Sequence, residues 1–118
     1  MKTTLLLQHA ANIVGGTMTT TPRQANRVAA FLIRQALEEV VHAQCELLIH
    51  RLDHPVRMQS RLTVLYLFAS AEVATTAAYA WFALSRACHH HAYELGPTAS
   101  ELRHLLGLVQ GLADAEKR

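Results

Sequence analysis

A chain of 118 residues, 51% hydrophobic and 6% aromatic, suits one compact domain over 1–118 with a core of its own. A formal charge of +2 does not mark a nucleic-acid binder, although eight histidines make the surface charge rise steeply under mild acidification. Cys45 and Cys88 are expected to stay reduced, because such a chain buries enough apolar area without a covalent staple.

Met1 to Leu7 begin like a signal peptide, but Gln8, His9 and Asn12 interrupt the apolar run, so a cytoplasmic protein is expected. A first helix is predicted from about Thr4 to Val14 and is stopped by Gly15-Gly16, with residues 1–16 set apart from a core bundle over 21–115. Thr17 to Thr21 form a short linker. Thr21-Pro22-Arg23-Gln24 then signals a helix start: Thr21 caps, Pro22 sits where its missing N–H costs nothing, and Gln24 reaches back as in a capping box.

The long second helix carries an apolar stripe of Ala29, Leu32, Ala36, Val40, Ala43 and Leu47, up to a break at Asp53-His54-Pro55. Pro55 opens a third helix with Arg57, Arg61, Leu62, Leu65 and Phe68, since proline within a helix costs about 3 kcal/mol. Ser70 with Glu72 caps a fourth helix near Ala71. There Ala74, Ala77, Ala78, Ala80 and Ala83 allow close approach, while Tyr79, Trp81, Phe82 and Leu84 are expected to fill the remaining space.

The window Leu62 to Leu84 is the most hydrophobic, but Ser70, Glu72, Thr75 and Thr76 interrupt it, so no membrane span is expected. Gly96-Pro97 closes the region. Thr98 and Glu101 make a capping box for a last helix bearing Leu102, Leu105, Leu106, Val109 and Leu112. Sustained strand alternation is absent, so the expected fold is all-α, an up-and-down helical bundle of four to five helices.

The apolar residues are read as core, which leaves function to the polar exceptions. They concentrate at Ser85-Arg86-Ala87-Cys88-His89-His90-His91-Ala92-Tyr93-Glu94, just before the Gly96-Pro97 stop. Histidine accepts and donates protons near neutral pH, and arginine holds a phosphate through its fork of donors. The pair suffices for metal-free cleavage of RNA.

Five helical steps put Arg86 and His91 roughly 140° apart, so one straight helix cannot aim both at one phosphate. Either the helix ends near His90, or a second copy of the chain completes the site; His89 and His90 share the face of Arg86 more naturally. The plainer reading of the cluster is a solvated helix end, where a positive charge gains roughly 0.3 to 1 kcal/mol.

Cys88, His89, His90 and His91, or His42 with Cys45, are ligand types. They lack the spacing of a tetrahedral site, so no metal and no cofactor is expected. Arg34 and Glu38 lie four apart, as do Arg57 and Arg61. The plain reading is solvated surface charge, and the sharper one is an interhelical pairing of Glu38 with an arginine that braces a cleft.

Arg86 to His91 fits the R-x4-H motif of the HEPN superfamily, and Ala29 to Glu38 resembles the early long helix of its bacterial members. The run from Arg86 to Leu106 resembles the segment that carries their motif and closing helix. HEPN proteins are small helical bundles that usually dimerise, and many are metal-independent ribonucleases of toxin–antitoxin and anti-phage systems.

The resemblance implies an endoribonuclease acting as a toxin or defence effector. Its catalytic residues would be Arg86 and His91, and its partners RNA, a second copy and an antitoxin or other protein. His89, His90, Tyr93, Glu94, Glu38 and Arg34 would be accessory. Ala87 stands where many active members carry a polar residue, and the alternative is a non-catalytic module that binds a partner protein, antitoxin or nucleotide through the same cleft.

Overall fold

A computed structural model describes residues 2–16, 22–49, 57–89 and 96–116. They form five α-helices: α1 (Lys2–Val14), α2 (Pro22–Leu48), α3 (Met58–Phe68), α4 (Ala71–Cys88) and α5 (Ala99–Glu116). The described residues contain no strand, and the architecture is an all-α helical bundle.

Local chemistry sets most boundaries. α1 ends where Gly15 and Gly16 donate back to the carbonyls of Ala11 and Ile13, and Gly16 takes φ 79°, a conformation open to glycine at little cost. Ser70 caps α4, its Oγ accepting from the Val73 N–H at 3.2 Å. Thr98 does the same for α5, its Oγ1 accepting from the Glu101 N–H at 3.0 Å, with Glu101 also placed in the first turn. The expected caps at Thr21 and the break at Asp53-His54-Pro55 lie outside the described residues. α3 begins at Met58, and its N-cap residue Arg57 makes no side-chain capping bond.

The long α2 is the axis of the bundle and packs against all four other helices. α1 lies against α2 and α5, α3 against α2 and α4, and α4 also against α5. One hydrophobic cluster draws on every helix, with Leu7 from α1, Ile33, Leu37 and Val41 from α2, Leu65 from α3, Leu84 from α4 and Leu102 from α5. Buried Ala29, Ala36, Ala74, Ala77 and Ala80 keep the helix backbones close where they cross.

Two packing expectations are corrected. The buried face of α2 runs through Ala29, Ile33, Ala36, Leu37, Val40, Val41 and Cys45, whereas Leu47 is 66% exposed. A central helix meets neighbours around a wide arc, so its buried surface is broader than a single stripe. On α4, the inward residues are Ala74, Ala77, Ala80, Leu84 and Cys88, and the ring of Phe82 is outside at 61% exposure together with Tyr79. Steps of about 100° per residue put Tyr79 and Phe82 opposite the alanine face, so they cannot fill the core that the alanines line. Phe68, expected inside, is likewise exposed at the end of α3.

Candidate functional site

α4 ends at Cys88. Its C-cap is His89, whose backbone has φ −87° and ψ 96° while its N–H still reaches the Ser85 carbonyl at 3.1 Å. The helix therefore stops before His90, and the angular objection to pairing Arg86 with a later histidine applies only to a helix that continued. Arg86 occupies the last turn and is exposed, as is His89. Tyr79, Phe82, Arg86 and His89 succeed one another at intervals of three and four, giving α4 a solvent-facing strip of two aromatics and two nitrogen bases. The Arg86 side chain has no ion pair among the described residues. His90, His91, Tyr93 and Glu94 lie outside the described residues.

The inner side of the same helix end meets α2. The Arg34 guanidinium lies over the Trp81 ring of α4, its Cζ 4.3 Å from the ring centroid. Ser85 and Cys88 follow Trp81 at four and seven residues and so share its face of α4. Arg27, seven residues before Arg34, lies on the same face of α2. Burial pushes the Cys88 thiol up, and the charges of Arg34 and then Arg27 pull it part of the way back.

Next to Arg27, the Asn26 side-chain amide donates to the Pro97 carbonyl at 3.0 Å and pins the approach to α5 against the start of α2. Residues 90–95, His91 among them, lie outside the described residues between His89 and Gly96.

Glu38 is half-buried on α2, and the two ion pairs of the described residues, Lys2 with Glu39 at 3.3 Å and His42 with Glu46 at 2.9 Å, leave it out. Among the described residues no group of three or more His, Cys, Asp or Glu could hold a metal ion. Both cysteines are free and buried; burial also pushes up the Cys45 thiol, nearby Arg61 opposes that rise, and the Sγ lies 3.5 Å from the Arg61 carbonyl. No helix of the described residues is long and apolar enough to cross a membrane.

Away from this end, a groove of about 300 Å³ opens between α3 and α4, lined by Gln59, Leu62, Thr63, Tyr66, Ala78 and Phe82. Arg27 carries no expectation from the sequence, and Trp81 is expected there only to fill space in the core. The signal for Arg27 was its seven-residue spacing from Arg34, and for Trp81 its being the single tryptophan, beside the small residues of a helix-packing face.

Comparison of this chain with protein-family models, with curated proteins and with solved structures finds no match.

Proposed function

We propose that this chain is a HEPN-like, metal-independent endoribonuclease acting as a toxin or defence effector, with Arg86 and His91 as its catalytic pair. Two copies would place their pairs in one cleft. The observation that carries the reading is Arg86 itself: an exposed guanidinium at the very end of α4, beside exposed His89, with no carboxylate among the described residues to neutralise it. A guanidinium so placed is available to a phosphodiester, and Tyr79 and Phe82 on the same strip offer flat apolar faces to a base or to a second protomer.

In this chemistry the imidazole of His91 takes the proton from a ribose 2′-hydroxyl, whose oxygen attacks the adjacent phosphorus as the bond to the 5′-oxygen breaks. The leaving oxygen collects a proton from a protonated imidazole, and Arg86 steadies the charge on the phosphoryl oxygens. The products are a 2′,3′-cyclic phosphate end and a 5′-hydroxyl end.

Purified protein incubated with RNA in chelator should leave those ends, and Arg86→Ala and His91→Ala should each lower cleavage by roughly 10² or more, a typical size for a lost acid–base or electrostatic partner. Cleavage that persists in both folded variants refutes the site.

A second reading, an interaction module for a partner protein or antitoxin, is favoured by the apolar surface of α3, where Tyr66 is 79% exposed and Leu67 and Phe68 accompany it. That module would bind its partner with Arg86 replaced and would cleave nothing.

A further inference from the structure

The stems of Arg27 and Arg34 are shut in between helices: the Nε atom of each is inaccessible and has no hydrogen-bond partner. Both residues are only partly buried, which leaves part of each side chain open to solvent, and neither has an ion pair among the described residues. The Trp81 ring, with the Arg34 Cζ over it, restrains one fork. The Ser85 hydroxyl, buried and unpartnered, sits on the α4 face that meets them.

A charge drawn partly out of water without a counter-ion is unfavourable in the free protein, and an incoming anion relieves that penalty. The two forks are held in advance, so little side-chain freedom is lost when they close on oxygen acceptors. Seven residues of helix separate their Cα atoms by about 10 Å along one face, so the two forks reach different phosphates of one strand more readily than a single ion.

We propose that Arg27 and Arg34 form a phosphate-binding strip that holds the backbone of a single-stranded RNA beside the end of α4. The choice of RNA rests on the ribonuclease reading; the affinity for a phosphate backbone does not. The strip would bring the strand toward the Asn26–Pro97 contact at the start of α2. Arg27 and Arg34 are here binding residues, and Arg86 remains the group on the reacting phosphate.

The test is fluorescence anisotropy with a labelled 2′-O-methyl RNA, which lacks the nucleophile and cannot be cleaved, across a salt series. Arg27→Gln and Arg34→Gln should each weaken binding about tenfold, as expected for loss of a charge-assisted contact. Each should also flatten the slope of log K against log salt by about 0.7, the value for one phosphate contact on a single strand. Arg34→Lys keeps the charge without the fork and should keep most of the slope while losing affinity.

Helical circular dichroism and its thermal melt verify that each variant is folded. Unchanged affinity in both glutamine variants overturns the proposal. Equal binding of a peptide nucleic acid with a neutral backbone, equal competition by polyglutamate, or displacement by micromolar inorganic phosphate also overturns it.

The two readings fail separately. If Arg86→Ala abolishes cleavage while the glutamine variants bind normally, the strip is wrong and the nuclease stands. If nothing cleaves yet the salt slopes follow the two arginines, the strip stands without it.

Discussion

The phase of α4 decides whether Arg86 can reach a substrate, and two neighbouring positions report it. Leu84 is fully buried in the cluster of all five helices, whereas Phe82, four residues before Arg86 and on its face, is 61% exposed. Leu84→Ala removes buried methyl and methylene groups and leaves a cavity where helices cross, at a cost of about 3 kcal/mol. For 118 residues the unfolding entropy is about 0.25 kcal/mol per kelvin, so the melting temperature should fall by roughly 12 °C.

Phe82→Ala, whose ring only edges the α3–α4 groove, should cost under about 1 kcal/mol and at most about 4 °C. Calorimetric melts of both variants at several protein concentrations provide the comparison. A Phe82 cost equal to that of Leu84 at every concentration would mean that this face of α4 is core, and Arg86 with it would be withdrawn from solvent. A Phe82 cost that grows with concentration would mean that a second copy covers the face, in keeping with the dimer.

Ser70→Ala removes the hydroxyl that caps α4 and should cost about 1 kcal/mol, seen as a fall of about 4 °C in the melt, whereas Ser70→Asp keeps an acceptor there and should hold the wild-type value. Burial raises the pKa of both thiols in the folded protein, so above about pH 8.5 the unfolded chain loses its thiol protons first and is stabilised relative to the folded one. Denaturation midpoints should therefore fall as pH rises through that range, with the thiol contribution intact below it; Cys45→Ala with Cys88→Ala should flatten the slope. A thiol reagent at pH 8 should modify Cys45 and Cys88 slowly in the native protein and rapidly in denaturant, and fast native labelling would contradict their burial.

Much of the fold is written in local signals. Gly16, Ser70 and Thr98 act within three or four residues of themselves, so the sequence around each suffices to place a helix end. Helix phase is less legible. On α2 the residues Leu32 and Ile33, or Leu47 and Cys45, are all apolar, and only the neighbours of a central helix settle which of them lie inside.

On α3 the run Val64 to Phe68 is apolar on all sides, and a helix touching two others can bury only part of it. The place of Arg86 in the last turn of α4, two residues before Cys88, was legible because a basic residue near a helix end needs no tertiary information. The contact of Arg34 with the face of Trp81 joins helices far apart in the sequence, and no spacing rule within one helix anticipates it.

The central claim is that a guanidinium and an imidazole from two copies serve one cleft, and mixing two inactive variants tests it most directly. Arg86→Ala and His91→Ala protein, each inactive alone, are unfolded together, refolded and assayed on RNA in chelator. The account predicts that the mixture regains a fraction of wild-type cleavage and yields 2′,3′-cyclic phosphate ends. A mixture that forms mixed dimers and stays as inactive as its components, or single variants that were never impaired, would contradict it.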